Sequence, residues 1–247
     1  GHSLSATRVI SRLSKELKKS LPFQGLFEAP TIAGLAKWIQ ANKSQSIGSI
    51  ARKQQDDGAG NKQRTAPQSF AQQRLWFLSQ LASGSALYNT LGTIPLEGSL
   101  NISALKQTLT ELIRRHESLR TTFTTQDGEP IQVIAPATSV VLDEIDLHKL
   151  DIKQRRNKLK LLRKAEATAP FDLLTGPLVR FKLIILGNIR QILLYSMHHI
   201  ITDGWSSGIL RRELHILYQA FRAGKASPLA EQTLQYADFS TWQRDWL

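Results

Sequence analysis

The sequence predicts an α/β fold with a mixed β-sheet flanked by helices. Over most of the chain, helix-like and strand-like segments alternate, which is typical of this class. Two apolar, strand-like segments at 178–186 and 191–197 are separated by Gly187-Asn188, a hairpin-type turn. A clear helical stripe begins at Ile102, directly after Asn101, a residue type that favours the N-cap position. The sequence shows no internal repeat.

The bulk composition indicates one sizeable domain with a smaller piece attached. The chain has 247 residues, 41% of them hydrophobic, and no cysteine. The missing cysteines exclude a disulfide, a thiolate metal site and a cysteine nucleophile. No apolar run reaches the length of a membrane span and no signal-peptide pattern is present, so we expect a cytoplasmic protein without a membrane partner. The chain begins at Gly1 and ends abruptly at Trp246-Leu247, which predicts a fragment of a longer polypeptide.

The net charge of +12 raises the question of nucleic-acid binding. Much of the excess lies within residues 153–164, where Ile152, Leu159, Leu162 and Ala169 recur at helical spacing. This pattern predicts an amphipathic helix with a solvated basic face. The sequence has neither interleaved aromatic residues nor zinc-finger spacing. We therefore expect no nucleic-acid partner, and an acidic protein surface is the favoured partner for the basic face.

The first 42 residues are predicted to be helical. Leu13 and Leu17 mark one amphipathic helix, and Pro30-Thr31 opens a second one. Residues 43–66 are rich in Gly, Ser, Gln, Lys and Asp and poor in apolar residues. Because this composition cannot bury a core, we predict a mobile linker there.

From residue 67 to residue 247, the elements that justify the α/β assignment follow one another. The predicted series is a helix over 72–81, a strand over 90–96, a helix from 102, short strands at 121–123, 131–134 and 140–142, the basic helix, the hairpin over 178–197, and a helix from 206 to about 223.

The run from His198 to Gly204 is the strongest candidate for a functional site. It follows a predicted strand and precedes a predicted helix. Successive strand side chains point to opposite faces, so at most one of His198 and His199 can face a given cleft. An imidazole can take a proton from an amine or hydroxyl nucleophile. Asp203-Gly204 is expected to form a tight turn whose carboxylate pairs with a cation.

A metal site is the other interpretation of His198, His199 and Asp203. Adjacent strand histidines rarely converge on one ion, and the sequence offers no third compact set of ligands. We therefore expect no metal.

Four segments occur in order along the larger part of the chain. They are residues 69–76 (SFAQQRLW), 115–123 (RHESLRTTF), 197–206 (MHHIITDGWS) and 236–242 (YADFSTW). Together they resemble the motifs of condensation domains in nonribosomal peptide synthetases, and residues 171–178 also look like that family. The resemblance covers about 67–247. It implies a chloramphenicol acetyltransferase-like lobe, the first of two lobes with an active tunnel between them, so the truncated fragment alone is expected to be inactive.

The N-terminus carries a second resemblance. Residues 1–7 (GHSLSAT) are similar to the phosphopantetheine attachment motif of a peptidyl carrier domain, and residues 27–33 to its closing helix. The resemblance implies a partial carrier domain over 1–42, with 4′-phosphopantetheine bound covalently to Ser3. A serine at a helix N-terminus suits a phosphodiester, because free N–H groups and the helix dipole favour an anion. A simple N-cap role for Ser3 is the alternative.

The condensation resemblance implies amide formation between two thioester-bound substrates. The implied partners are upstream and downstream carrier domains, which hold these substrates, and the adenylation domains of the same assembly line. His199 is the residue expected to remove a proton from the attacking amine or to orient it. His198 points the other way and is expected to be structural.

The resemblance also implies supporting roles around the histidines. Asp203 is expected to organise the turn, and the family pattern pairs it with an arginine, here Arg115 or Arg120, through a structural salt bridge. Gly204 is expected to allow a close backbone approach or an unusual backbone angle.

Three other functions stay open at this point. An epimerisation domain also follows a carrier and shares the histidine motif, although residues 69–76 and 115–123 fit amide-forming members better. A free-standing acyltransferase is disfavoured by the upstream carrier half. A non-catalytic carrier or docking platform would be supported by loading of Ser3 without chemistry that depends on His199.

Overall fold

The computed structural model describes residues 9–10, 12–14, 16–17, 21, 24–41, 50, 63–81 and 84–246. The chain divides into two compact units, Gly1–Ser49 and Ile50–Leu247. Each unit has its own elements and is described by itself.

The N-terminal unit is helical over most of its described residues, as the periodicity predicts. Residues 9–10, 12–14 and 16–17 are helical, and helices α1 (Gln24–Glu28) and α2 (Ile32–Ala41) follow. The Thr31 hydroxyl accepts a hydrogen bond from the Gly34 N–H at 3.1 Å, which caps α2 where Pro30-Thr31 predicts its start. Ser3 lies outside the described residues.

The C-terminal unit contains the alternating elements, and the α/β class is confirmed. Its helices are α3 (Phe70–Leu81), α4 (Ile102–Arg115), α5 (Ile152–Thr168), α6 (Gly204–Arg222) and α7 (Tyr236–Trp246). Its strands are β1 (Arg64–Pro67), β2 (Asn89–Glu97), β3 (Thr121–Gln126), β4 (Glu129–Ile134), β5 (Asp143–Asp146), β6 (Val179–Gly187) and β7 (Arg190–His198). A short 3-10 helix over Glu117–Arg120 follows α4.

Within the described residues, the strands form two sheets rather than one. A three-stranded sheet has the order β1-β4-β3, and a four-stranded sheet has the order β2-β7-β6-β5. The four-stranded sheet is mixed, because β5 runs parallel to β6 while β7 pairs antiparallel with both neighbours. Strand β7 therefore lies inside this sheet, and its last residue, His198, lies opposite Asn89 of β2.

Helices cover both faces of the four-stranded sheet. On one face, Leu109 of α4 and Leu217 of α6, both fully buried, belong to the same core cluster as Leu193 of β7. On the other face, Leu159 and Leu162 of α5 pack against a second cluster. Fully burying one such leucine contributes about 1.5–3 kcal/mol to the free energy of folding. The two clusters therefore stabilise an arrangement of three layers, with the sheet between helices.

Two sequence predictions of local structure are wrong. Residues 64–66, assigned to the linker, belong to β1, which pairs with β4. The Arg64 guanidinium lies 3.1 Å from Glu117 and 2.7 Å from Asp238, so contacts distant in sequence stabilise this polar strand. Apart from residues 50 and 63, the rest of the predicted linker lies outside the described residues.

The predicted strand at 140–142 is the second error, because the strand is β5, over 143–146. Val141 is 86% exposed, so the apolar residues 140–142 are not the ones that pair with β6. Pairing is instead fixed by Ile145 opposite Ile184 and by an ion pair of Asp143 with Lys182 at 2.9 Å. A strand with three acidic residues in four gives little β signal.

Candidate functional site

His198 lies in the core, at the end of β7. Its residue surface is 3% exposed, and its ring makes edge-to-face contacts with Tyr88 and Phe171 at centroid distances of 6.1 and 6.3 Å. Its Nδ1 accepts a hydrogen bond from the Ile200 N–H at 3.2 Å, so the proton of the neutral ring is on Nε2. Burial, and secondarily the neighbouring His199, lowers the pKa of His198 to about 4, which keeps the ring neutral at pH 7.

His199 is exposed and has a different environment. Its backbone N–H donates to the Tyr88 carbonyl at 2.8 Å, and its Nδ1 lies 2.5 Å from the Thr202 carbonyl oxygen. A carbonyl oxygen can only accept, so Nδ1 carries the proton and, in the neutral ring, Nε2 keeps its lone pair. The turn after β7 thereby fixes the tautomer that a proton acceptor requires.

His199 lines a cleft of about 480 Å³ between α3, the turn after β7 and α7. The other polar residues that line it include Gln72, Tyr88, Asp203, Ser206 and Tyr236. His198 borders a different cavity, of about 550 Å³, which shares Leu78 and Tyr88 with the cleft. The two histidines therefore serve different cavities, as strand alternation predicts.

The α3 wall of the cleft contains a polar network that the sequence analysis missed. The Ser69 N–H donates to Gln72 Oε1 at 2.9 Å, and the Gln72 N–H donates to the Ser69 hydroxyl at 3.2 Å. This reciprocal pair is a capping box, a pattern that is readable as S-x-x-Q in the sequence. The Ser69 hydroxyl also lies 3.0 Å from the Tyr236 hydroxyl, so the start of α3 is joined to the start of α7.

Tyr236 keeps its proton in this setting. Burial raises the pKa of the Tyr236 hydroxyl above its usual range, and the nearby Asp203 carboxylate adds to the rise, although the hydrogen bond with Ser69 opposes it. Tyr236 therefore offers the cleft an aromatic surface and a neutral hydroxyl.

Asp203 is the N-cap of α6. Its Oδ1 accepts hydrogen bonds from the Ser206 N–H at 2.7 Å and from the Ser206 hydroxyl at 2.6 Å. This arrangement satisfies a free N–H group at the helix start and places a negative charge at the positive end of the helix dipole.

The ion pair predicted between Asp203 and Arg115 or Arg120 is not formed. Arg115 instead lies 3.4 Å from Glu213 and donates to the Ala230 carbonyl at 2.9 Å. Arg120 donates to the Ala135 carbonyl and lies 3.9 Å from Glu117. Each arginine is thus occupied by nearer acceptors, while Asp203 is exposed to solvent and does not require a cation.

The expectation for Gly204 is also wrong. Gly204 is the first residue of α6 and has helical rather than left-handed backbone geometry. A Cβ atom built on it would meet nothing within 4 Å. The described residues therefore impose no steric requirement for glycine at this position.

Comparisons with known proteins agree on both parts of the chain. The family described as "Condensation domain" matches residues 62–247, and the family described as "Phosphopantetheine attachment site" matches residues 1–39. One of the linear gramicidin synthase proteins of Brevibacillus parabrevis is 46% identical over 247 residues, covering 100% of this chain and 5% of the relative. Malpibaldin synthetase of Mortierella alpina is 43% identical over 256 residues, covering 100% of this chain and 4% of the relative. The chain therefore spans a small part of the length of such relatives.

Solved structures give the same result for the fold. The first condensation domain of the calcium-dependent antibiotic synthetase, in complex with substrate analogue 3a, is 25% identical with a TM-score of 0.62, over 68% of this chain and 42% of that one. Among the described helices, none is long and apolar enough to cross a membrane.

Proposed function

The chain belongs to the condensation-domain family of nonribosomal peptide synthetases, preceded by a phosphopantetheine attachment domain, and from this we propose that its larger unit joins two thioester-bound substrates through an amide bond. The family match favours this reaction over epimerisation. The attachment domain implies a 4′-phosphopantetheine cofactor, which when bound supplies a flexible arm ending in a thiol, and Ser3 is the residue we propose to carry it.

The tautomer of His199 is the observation that supports this proposal most. With Nδ1–H donated to Thr202, Nε2 is the nitrogen with a lone pair on a ring that lines the cleft. An acceptor amine in the cleft can donate its N–H to this nitrogen, which aims the amine's own lone pair at a carbonyl carbon. Holding both substrates in one cleft replaces a collision in solution by an oriented encounter. The entropy cost of bringing the reactants together is then not part of the activation barrier.

The proposed reaction balances without an outside reactant. The amine nitrogen of the acceptor forms a bond to the thioester carbonyl carbon of the donor, and the carbon–sulfur bond breaks. The amine proton passes to His199 Nε2 and from there to the departing thiolate, or a water molecule takes the amine proton while it gives one of its own protons to the thiolate and His199 Nε2 orients the amine by a hydrogen bond. In either case His199 provides the acceptor, and Asp203 holds the turn by capping α6.

The proposed partners follow from the same chemistry. We propose that one carrier domain holds the donor and a second carrier domain holds the acceptor, and that adenylation domains of the same assembly load them. His198 is proposed to be a structural residue, since its ring is buried and its Nδ1 is already engaged.

A transfer experiment tests this function. A longer protein with the complete carrier and condensation domains is loaded with a donor aminoacyl group on Ser3 and mixed with a loaded acceptor carrier, and intact-mass spectrometry follows the acceptor. We expect a dipeptide mass on the acceptor with the wild type, and its near disappearance with His199→Ala. His148→Ala, which alters an exposed histidine outside the cleft, is the matched control and should transfer normally.

Other results would change the assignment. No transfer with any of a range of residue pairs, although Ser3 is loaded, would favour a non-catalytic platform. Equal transfer by the wild type and His199→Ala would remove His199 from the reaction while leaving the amide-forming function in place.

A further inference from the structure

A buried charge cluster joins the end of α4 to the middle of α6. The Glu213 side chain is 6% exposed and that of Arg115 is 2% exposed, and Arg115 Nε lies 3.4 Å from Glu213 Oε2. His116 Nε2 lies 2.7 Å from the same oxygen. Gln232 Nε2 reaches the other oxygen of Glu213 at 3.5 Å. Several donors therefore converge on one carboxylate.

Glu213 needs these partners because a buried carboxylate without hydrogen bonds is strongly unfavourable. The cluster therefore fixes α6 relative to α4 at this level. None of these residues lines the cleft of His199, so a role in catalysis has to be indirect.

A small recess connects the cluster to the turn after β7. It measures about 100 Å³ and is lined by His116 and by four residues that also line the cleft, namely Ser118, Ile201, Thr202 and Ser206. His116 thus borders the segment that contains Thr202, whose carbonyl holds His199 Nδ1. The same segment leads into α6, which carries Glu213.

We propose that His116 and Glu213 are positioning residues that keep the Thr202 carbonyl in place for His199. Glu213 holds the His116 ring, the ring supports one wall of the recess, and α6 anchors the other end of the turn. The consequence is that His199 Nδ1 stays protonated and Nε2 stays free. The catalytic effect of this pair rests on the proposed function, but the tautomer of His199 is observable without turnover.

The first test measures that tautomer by NMR in the 15N-labelled 247-residue chain, from the chemical shifts of the His199 ring nitrogens. We expect the Nδ1–H form to dominate in the wild type and to lose population in His116→Ala. His116→Gln can place an amide N–H near the position of the histidine Nε2, so it should donate to Glu213 and restore most of the wild-type population. His215→Ala, which alters an exposed histidine on α6, should change nothing.

The second test measures kinetics in the longer protein described above. His116→Ala should lower kcat about tenfold, with KM for the acceptor within about twofold, because the loss concerns orientation of the reacting groups rather than binding. His116→Gln should recover most of kcat. The His116 side chain is 23% exposed and that of Glu213 is 6% exposed, so His116 variants test the proposal without changing the more deeply buried carboxylate.

The outcomes separate this inference from the proposed function. An unchanged His199 tautomer and kcat in folded His116→Ala would overturn the inference, as would a His116→Gln variant as impaired as the alanine. A tautomer that shifts in His116→Ala and returns in His116→Gln, in a protein that forms no dipeptide, would support the positioning role and reject the amide-forming function.

Discussion

At the scale of single residues, two neighbouring histidines have opposite proton arrangements. His198 Nδ1 accepts a hydrogen bond from a backbone N–H, whereas His199 Nδ1 faces a carbonyl oxygen. The first ring is therefore neutral with its proton on Nε2, and the second, when neutral, has its proton on Nδ1 and its lone pair on Nε2. One turn after β7 supplies both partners, so its conformation decides which histidine can act as an acceptor.

The depressed pKa of His198 predicts a pH dependence of stability. Its folded-state pKa of about 4 lies below the ordinary value of 6.5, so below pH 6.5 the unfolded chain binds a proton that the native state resists. We expect the free energy of unfolding to fall by on the order of 2 kcal/mol from this group as the pH drops from 6.5 to 4. Urea unfolding over this range measures it.

The matched variant is His198→Asn, whose side-chain oxygen can accept from the Ile200 N–H but does not titrate. Its stability should fall less than that of the wild type over the same pH range. Parallel pH profiles for the two proteins would contradict a buried, proton-resisting His198.

At the scale of elements, α6 is the part that organises the turn after β7. Asp203 caps its start, and Glu213 fixes its body against α4. The sequence predicts this helix and the strand before it well, because the helix has apolar residues at helical spacing and the strand is a nearly continuous apolar run. It does not predict the partners of the charged residues, since ion pairs depend on which distant elements pack together. The family resemblance pairs Asp203 with Arg115 or Arg120, whereas Arg115 lies at Glu213 and Arg120 at Glu117.

Capping of α6 gives a prediction at this scale. Asp203→Ala should lower the free energy of unfolding by about 1 kcal/mol, while Asp203→Asn, which keeps an acceptor oxygen, should cost a few tenths of that. Thermal or urea unfolding of the chain measures both. A loss in Asp203→Asn as large as in Asp203→Ala would show that the negative charge matters more than the cap, as an ion pair with arginine would require.

The control for activity is Asp151→Ala. Asp151 caps α5 in the same way, with Oδ1 accepting from the Gln154 N–H at 2.8 Å, but it does not line the cleft. The Asp151→Ala variant should lose a similar free energy of unfolding and still transfer the donor group to the acceptor carrier at the normal rate. Asp203→Ala should also slow this transfer.

At the scale of the whole molecule, the C-terminal unit is a three-layer structure that holds the turn with His199 at the end of an interior strand. The order of the long elements and the α/β class follow from periodicity in the sequence. The division into two sheets does not, because β1 and β5 are short and polar and are fixed by Arg64, Asp143 and their distant partners. The candidate site combines both kinds of information. Local alternation predicts that the two histidines face different ways, the turn after β7 sets their tautomers, and contacts distant in sequence set the ion pairs.

Truncating a side chain in the core between the four-stranded sheet, α4 and α6 should leave a cavity and destabilise the C-terminal unit. Leu109 is fully buried, so Leu109→Ala should lower the free energy of unfolding by about 2–5 kcal/mol. Leu161, which is 61% exposed on α5, should lose about 0.5 kcal/mol or less on the same change. Urea unfolding compares the two, and equal losses would contradict the assignment of Leu109 to the core.

His198 is the last residue of β7 and His199 the first residue of the turn after it, and this placement limits how the site can evolve. His198 fills the core and His199 lines the cleft, and only one peptide bond separates them. We expect a deletion of one residue in β7 to exchange the faces of the residues beyond it, which would carry the buried ring of His198 into water and the ring of His199 into the core. Substitutions can therefore change this site gradually, but a change of length in β7 would remove His199 from the cleft and His198 from the core in a single step.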